Sequence, residues 1–186
     1  MGRSKALLPC PSESDTFVTR AITTLRAGGV AEVAVVGRPD DADLERELKR
    51  SSPPAFYIAN PTADLGQLSS VLVGISYAQQ LAADAVMIVP VDMPSIRPET
   101  VRALLDAFEA GPQPIARAVH HGRHGHPVIV GASLFEELRS ADPAIGARAI
   151  MRGDPSRIRD VPVDDPGVLR DVDTPDDYQA LLDERR

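Results

Sequence analysis

The sequence is poor in aromatic residues, cysteine and positive charge, and each shortage argues against a class of function. Aromatic residues make up 4% of the 186 positions and tryptophan is absent, which argues against a platform for stacking nucleic-acid bases. Lys and Arg number 20 against 27 Asp and Glu, and the formal charge of −7 disfavours nucleic acid as a partner. Cys10 has no second cysteine with which to form an internal disulfide, which is typical of a reducing compartment.

Long apolar runs are also missing from the sequence. No stretch approaches the roughly 18–20 residues that span a bilayer, and MGRSKALLPC lacks the apolar region of a signal peptide. We therefore expect a cytoplasmic protein with no membrane partner. Hydrophobic residues still make up 43% of the chain, which is typical of a folded domain with a continuous core.

Strand and helix patterns alternate through the first two-thirds of the chain. Short apolar runs predict strands at 33–36, 56–59 and 85–91. Helical spacing of apolar residues predicts helices at 14–27, 41–51, 68–82 and 98–110. This alternation predicts an α/β fold, a three-layer α/β/α sandwich around a mostly parallel sheet.

The last third of the chain is less regular. It predicts strands at 115–119, 127–130 and 158–163, and helices near 132–139 and 144–152. The final helix has a clear start, because Thr174, Pro175 and Asp177 suit its N-cap, first and third positions. With no repeat or linker in the sequence, we expect one domain over residues 1–186.

Acidic residues follow two of the predicted elements. Asp92 comes directly after the most hydrophobic strand, where parallel sheets bind ligands, and a carboxylate there suits Mg²⁺. Asp171 and Asp173 are candidates for a second metal ligand. Plainer structural roles are open for all three: Asp92 as the cap of a turn before Pro94, and the pair as negative charge before a helix.

Two further segments have the chemistry of a phosphate or nucleotide site. Gly2, Arg3 and Lys5 form a short basic loop that suits triphosphate oxygens, although terminal basic residues are often simply solvated. The segment Gly66–Gln67 opens the 68–82 helix, whose free backbone amides suit a nucleotide or an ordinary helix start.

All four histidines lie in one segment. His120, His121, His124 and His126 fall within HHGRHGHP. Because no cysteine or well-spaced acid accompanies them, we favour a loop between strands that contacts an anionic substrate over a transition-metal site. An exposed hairpin tip is the structural alternative.

In order along the chain, these segments resemble the molybdenum cofactor cytidylyltransferase family, within the MobA-like nucleotidyltransferases. MGRSKALLP is similar to the second half of the family signature LAAGxSxRMGxxKLLLP. NPTADLGQLSSVLVGI and PVDMPSIRPETVRALLDAF resemble its asparagine-to-helix segment and its metal-aspartate strand. GRHGHPVIVGASLFEEL, GARAIMR and VPVDDPGVLRDVDTPDDYQAL are similar to its C-terminal third.

The resemblance implies a fold and a reaction. The fold is that of the nucleotide-diphospho-sugar transferases, with residues 1–111 binding nucleotide and 112–186 binding the acceptor. The reaction moves a nucleotidyl group from an NTP, with CTP preferred, to a phosphorylated small molecule, molybdopterin cofactor, and releases pyrophosphate. A molybdoenzyme is a further partner that the resemblance suggests.

The family resemblance also implies roles for individual residues. Arg3 and Lys5 would bind the triphosphate and act at the α-phosphate, helped by Gly2. Asp92 would bind Mg²⁺ together with Asp171 or Asp173. The remaining expected contacts are with the nucleotide, by Asn60, Gly66, Gln67 and Ser70, and with the acceptor, by Gly125, His126 and Pro127.

The resemblance begins in the middle of the family signature, and this has a structural consequence. The family's first strand and the LAAGxSxR half of its loop have no counterpart here, so we expect an unpaired strand ladder and an exposed groove near the sheet centre. A late start, a shortened chain and a member that binds without catalysing all agree with this pattern. Two rivals follow for the function: a silent cofactor-binding protein or chaperone, and a sugar-phosphate or phospho-acid nucleotidyltransferase.

Overall fold

The computed structural model describes residues 4–11, 15–51, 54–141 and 153–183. Its α-helices are α1 (Phe17–Gly28), α2 (Ala42–Leu48), α3 (Gln67–Gln80), α4 (Pro98–Ala110), α5 (Phe135–Arg139) and α6 (Pro175–Asp183). Its strands are β1 (Ala34–Gly37), β2 (Phe56–Ala59), β3 (Ala85–Ile88), β4 (Ile115–His120), β5 (Arg123–Gly131) and β6 (Ile158–Pro162). The predicted helix at 144–152 falls outside the described residues.

The strands form two sheets. In one, β1 and β2 pair in parallel; in the other, the order is β3-β5-β4-β6. Strand β5 runs antiparallel to both of its neighbours, whereas β4 and β6 are parallel. The predicted α/β fold is confirmed, and β5 alone reverses direction within the four-stranded sheet.

Helix boundaries follow local capping chemistry. Helix α1 begins at Phe17 rather than 14 because Thr16 and Thr19 form a capping box. It ends at Gly28, and its C-cap Gly29 has a φ of 103°, the left-handed conformation that glycine adopts easily. At the other end of the chain Asp177 N donates to Thr174 Oγ1 at 3.1 Å, and Thr174 N donates to Asp177 Oδ2 at 2.8 Å. The predicted start of the last helix is confirmed.

The histidine-rich segment is largely strand, which corrects the prediction of a loop. Only His121 and Gly122 form the connection between β4 and β5, since His120 pairs with Arg123. Their φ values of 47° and 75° are the two positive angles of a type I′ hairpin turn. Strand β5 therefore starts four residues before the predicted position, because its polar start pairs with β4.

Strand β3 ends earlier than predicted, at Ile88 rather than 91. Pro90 lacks the backbone N–H that would continue a ladder, and a turn follows in which Met93 N donates to Pro90 O at 3.3 Å. This turn carries Asp92 beyond the carboxyl end of the strand. None of the helices in the described part of the chain is long and apolar enough to cross a membrane.

A cavity of about 610 Å³ lies between the two sheets. Strands β1 and β3 line its two sides, and residues of α1, α3 and α4 also line it. We call it the central cavity.

Candidate active site

Lys5 joins two carboxylates that are far apart in the sequence. Its Nζ donates to Asp92 Oδ2 at 3.4 Å and also to Asp173 Oδ1. Val172 N donates to the Asp92 carbonyl oxygen at 2.9 Å, which fixes the segment carrying Asp173 against the turn after β3. The structure thus brings three of the predicted site residues to the carboxyl end of one strand.

The cluster of Lys5, Asp92 and Asp173 is partly exposed to solvent, and ion pairs connect its charged groups. The side chains of Lys5, Asp92 and Asp173 are 32%, 25% and 59% exposed. The hydrogen bond to Asp173 raises the pKa of Lys5 above its ordinary value; burial opposes this, and the charge of Asp92 adds to it. Lys5 is therefore a cation that a ligand can reach.

Asp171 and Asp173 differ in their surroundings. Val172 between them is completely buried, and both aspartates are exposed. Lys5 contacts Asp173, and no described contact joins Asp171 to Lys5 or Asp92. Between the two candidates, the geometry favours Asp173 as the partner of Asp92.

His126 lies near the same cluster. Burial lowers its pKa below the ordinary value, and the negative charge of Asp92 acts in the opposite direction. The His126 imidazole offers a hydrogen-bonding group close to Asp92. Its neighbour Pro127 is buried within β5.

Gly125 has a packing role that sequence reasoning did not reveal. A Cβ placed on it would lie 2.0 Å from the carbonyl oxygen of Val168, well inside contact distance. Val168 belongs to a 3₁₀ helix, Pro166–Leu169, that packs against β5. The glycine therefore allows close approach of two backbones beside His126.

Asn60 is fully buried and its side chain is used internally. Its Nδ2 donates to Ser69 Oγ at 2.9 Å and to Ser70 Oγ at 3.0 Å. Its Oδ1 accepts from the backbone and side chain of Thr62, both at 2.9 Å. Asn60 thus fixes the turn after β2 to the first turn of α3.

The start of α3 is exposed and suited to a ligand. Gly66 has a φ of 96°, and a Cβ there would meet no neighbouring atom within 4 Å. Gln67, the first residue of α3, is exposed. Of the predicted nucleotide contacts, Gly66 and Gln67 are accessible, Ser70 is half-buried, and Gly2 and Arg3 lie outside the described residues.

Comparison with known proteins identifies the family. Residues 1–161 match the family described as the MobA-like NTP transferase domain. The chain belongs to that family. The predicted membership in the MobA-like nucleotidyltransferases is confirmed, and the chain is accordingly a nucleotidyltransferase.

Individual relatives are more distant. The purine catabolism protein PucB of Bacillus subtilis is 25% identical over 97% of this chain and 89% of its own length. The phosphoenolpyruvate guanylyltransferase of Sphaerobacter thermophilus is 28% identical over 92% of this chain and 81% of its own length. Both alignments extend through most of this chain, including its C-terminal third.

The solved structure of Rv0371c from Mycobacterium tuberculosis H37Rv has the same fold. It matches with a TM-score of 0.81 at 21% identity, covering 98% of this chain and 90% of that one. A second structure of that protein is a complex with manganese. It matches with a TM-score of 0.75 at 23% identity, covering 98% of this chain and 93% of that one. The fold of this MobA-like transferase is therefore shared with a protein whose structure was also solved as a complex with manganese.

The two carboxylates that contact Lys5 suit a metal ion for which the protein supplies only part of the coordination shell. Within the described residues, no three His, Cys, Asp or Glu side chains are grouped to hold a metal ion. Asp92 and Asp173 offer two carboxylates, and Mg²⁺ commonly takes one or two carboxylates together with phosphate and water. The set therefore suits an ion that arrives with a phosphorylated substrate.

The histidines away from the cluster have ordinary structural contacts. His120 Nδ1 lies 3.0 Å from the Val163 carbonyl oxygen, and His124 Nε2 lies 3.5 Å from Asp160 Oδ2. His121 is exposed at the hairpin turn. Of the four, only His126 has a described electrostatic link to Asp92.

Asp165 is an important residue that sequence reasoning missed. It is 2% exposed and accepts hydrogen bonds from Arg97 N at 2.9 Å, Thr100 Oγ1 at 2.6 Å and Gly167 N at 2.9 Å. It therefore holds the 3₁₀ helix Pro166–Leu169 against the start of α4. The Asp-Pro-Gly sequence indicates a local cap, but it gives no sign of partners 65 and 68 positions away.

Proposed function

We propose that the chain transfers a nucleoside monophosphate from an NTP to a phosphate oxygen of a small-molecule acceptor and releases pyrophosphate. CTP is the proposed donor and molybdopterin cofactor the proposed acceptor. The observation that supports the site is the contact of Lys5 with both Asp92 and Asp173 at the carboxyl end of β3. Ligands of parallel α/β sheets bind at this end of the strands.

In this proposal the two carboxylates hold Mg²⁺. The metal would neutralise phosphate oxygens of the bound nucleotide. Lys5, and Arg3 from the same basic loop, would donate hydrogen bonds to the triphosphate and stabilise the charge that develops at the α-phosphate. An oxygen of the acceptor phosphate forms the new bond to the α-phosphorus, while the bond from that phosphorus to pyrophosphate breaks.

The other predicted residues position the two substrates. Gly66 and Gln67, at the start of α3, would meet the nucleotide, with Asn60 and Ser70 fixing that turn. His126, Gly125 and Pro127 would border the acceptor. The protein does no covalent chemistry in this scheme; alignment of the two phosphates supplies the rate enhancement.

A phospho-acid acceptor is the second candidate. It is supported by the 28% identity to a phosphoenolpyruvate guanylyltransferase, which extends over 92% of this chain. GTP would then be the nucleotide donor, and the phosphate group of a phosphorylated carboxylic acid would be the acceptor. The site residues and their roles would be the same, since the two candidates differ only in the pocket contacts that select substrates.

The test is pyrophosphate release by the purified chain. Each of the four common NTPs is combined with molybdopterin cofactor or phosphoenolpyruvate, with Mg²⁺, with Mn²⁺ or with EDTA. We expect release with CTP and molybdopterin that EDTA abolishes and that Asp92→Asn lowers by about 100-fold or more. Preference for GTP and phosphoenolpyruvate would favour the second candidate instead.

Binding measurements separate catalysis from silent binding. Calorimetry with CTP in the presence and absence of Mg²⁺ is expected to show metal-dependent affinity. Acceptor binding without metal-dependent NTP binding, and without pyrophosphate release from any pair, would contradict the transferase proposal and leave a cofactor-binding protein or chaperone.

A further inference from the structure

The ammonium group of Lys5 lies where a metal ion shared by Asp92 and Asp173 would have to bind. Its Nζ contacts Oδ2 of Asp92 at 3.4 Å and also Oδ1 of Asp173, so one nitrogen atom is within reach of both carboxylates. A Mg²⁺ ion coordinated by both oxygens at about 2.1 Å must lie between them. The ammonium group and the metal ion therefore compete for one position.

The charges of this cluster also favour one cation at a time. In the described part of the chain, Lys5 is the only residue that forms an ion pair with either carboxylate. Lys5 offsets half of their combined negative charge, and a divalent ion bound beside it would lie next to a second positive charge. Like charges at such a short distance repel each other, most strongly where water is partly excluded. A divalent ion therefore binds well only after Lys5 has moved.

The backbone at Lys5 is fixed by the residues that follow it. Ala6 and Leu8 are buried. Leu8 N donates to the Lys5 carbonyl oxygen at 3.1 Å, and Phe17 N donates to the Leu8 carbonyl oxygen at 2.9 Å. The ammonium group itself lies at the end of a flexible four-carbon side chain that is 32% exposed. A change of rotamer can therefore move Nζ away from the carboxylates while the backbone stays in place.

Lysine is an uncommon cation in this chain. Of the 20 basic residues 18 are arginine, and Lys49 is the only other lysine. Arginine forms firmer pairs, as where Arg157 donates to both carboxylate oxygens of Glu137 at 3.0 and 2.6 Å. An ammonium group is a point charge that cannot form this planar fork. A lysine between the two carboxylates therefore suits a contact that has to be exchanged.

We propose that Lys5 is an exchangeable counter-ion, which keeps a divalent ion away from Asp92 and Asp173 until a nucleoside triphosphate draws the ammonium group onto its phosphate oxygens. Lys5 then keeps an anionic partner, and both carboxylates become available to the ion that accompanies the nucleotide. The metal alone binds weakly, and metal and nucleotide bind with positive cooperativity. This inference rests on the proposed nucleotidyltransferase function and adds to it the order of binding.

The first test measures binding of Mn²⁺ alone, without enzymatic turnover. Calorimetry, or the electron paramagnetic resonance signal of free Mn²⁺, gives its affinity for the purified chain. Lys5→Met removes the competing charge, so we expect Mn²⁺ to bind at least about tenfold more tightly. Lys49→Met is the matched control, because Lys49 is exposed at the end of α2, and should change the affinity by less than about twofold. Lys5→Gln repeats the test with a polar side chain, and Tm values check that each variant is folded.

The second test uses the complex of Mn²⁺ with CTP. In the proposal Lys5 binds phosphate after it leaves the carboxylates, so Lys5→Met loses that contact. We expect the complex to bind Lys5→Met at least about tenfold more weakly than the unaltered chain. One substitution would thus change the affinity for the metal alone and for the metal–nucleotide complex in opposite directions. Lys49→Met should change neither.

A third measurement follows the side chain of Lys5 itself. Because the chain contains two lysines, lysine labelled with ¹³C and ¹⁵N gives two sets of side-chain signals in NMR spectra. Addition of Mg²⁺ with CTP is expected to shift the signals of Lys5 and to leave those of Lys49 unchanged. Lys5→Met assigns the two sets.

The outcomes distinguish this inference from the proposed function. Equal affinity of Lys5→Met and the unaltered chain for Mn²⁺ would overturn the counter-ion role, and Mg²⁺-dependent pyrophosphate release would still support the transferase. Tighter binding of Mn²⁺ with unchanged binding of the CTP complex would overturn the exchange, since Lys5 would then repel the metal without moving to phosphate. No Mn²⁺ binding to either protein, with CTP binding that is independent of metal, would overturn both the counter-ion role and the proposed metal site.

Discussion

Lys5 Nζ lies 3.4 Å from Asp92 Oδ2, although 87 positions separate the two residues. The same nitrogen contacts Asp173, and through it the pKa of Lys5 is raised. One cation thus marks the point where the N-terminal segment, the turn after β3 and the C-terminal segment meet. A divalent metal and a triphosphate are proposed to share this point.

Asp171 and Asp173 provide a test of the proposed metal site. Asp173→Asn is expected to lower kcat/KM for nucleotidyl transfer by about 10- to 100-fold, because metal affinity depends on a charged ligand at this position. Asp171→Asn is the matched control, because Asp171 lies two positions away and is also exposed. It is expected to change kcat/KM less than about threefold. Steady-state assays across Mg²⁺ concentrations measure both; a larger effect of Asp171→Asn would exchange the two roles.

His126 predicts a pH dependence of stability. Burial holds its pKa below 6.5, so the folded state binds a proton less readily than the unfolded chain. Protonation therefore favours unfolding, and the free energy of unfolding should decrease as pH falls from about 6.5 towards the lower folded-state pKa, then level off. Urea unfolding in EDTA between about pH 7.5 and pH 5 is expected to show a shallower decrease in His126→Gln. Equal slopes in the two proteins would contradict this.

Loss of the Asp165 carboxylate is expected to lower the stability of the fold strongly, although Asp165 is not among the proposed metal ligands. Asp165→Ala leaves the Arg97 and Gly167 amides and the Thr100 hydroxyl without their shared acceptor. We expect the free energy of unfolding to fall by about 2–3 kcal/mol. The exposed neighbour Asp164 supplies the control, since Asp164→Ala should change it by less than about 0.5 kcal/mol. Equal effects in urea unfolding would disprove a specific role for the buried carboxylate.

A substitution at Gly125 distinguishes a role in packing from a role in binding the substrate. Gly125→Ala places a Cβ against the Val168 carbonyl oxygen, and the backbone must shift, at a cost of about 2–3 kcal/mol in unfolding free energy. Gly153→Ala is the control, because a Cβ there meets nothing within 4 Å. A stable Gly125→Ala protein whose only defect is a raised KM for the acceptor would instead assign this glycine to substrate binding.

Most local structure could be predicted because it depends on local chemistry. The N-cap Thr174 and its partner Asp177 lie three residues apart, and their reciprocal hydrogen bonds are those that the sequence predicted. Strand β2 begins and ends at the predicted residues. The start of β5 was predicted wrongly because Arg123 and His124 are polar, and their pairing with β4 depends on the turn at His121–Gly122 rather than on burial.

The candidate site was predictable in part. Asp92 could be placed at the end of a strand from its position after an apolar run, and Lys5 from its basic segment. The choice between Asp171 and Asp173 and the role of Asp165 depend on partners more than 60 positions away. Such contacts leave no periodic pattern in the sequence, because each is a single long-range pair.

The contact between Lys5 and Asp173 also has a consequence during protein synthesis. These residues are 168 positions apart, so an emerging polypeptide has its basic segment and Asp92 long before the second carboxylate leaves the ribosome. Until then only one of the two carboxylates proposed to bind the metal is present at this position. The proposed two-carboxylate site is therefore assembled only after Asp173 has been synthesised.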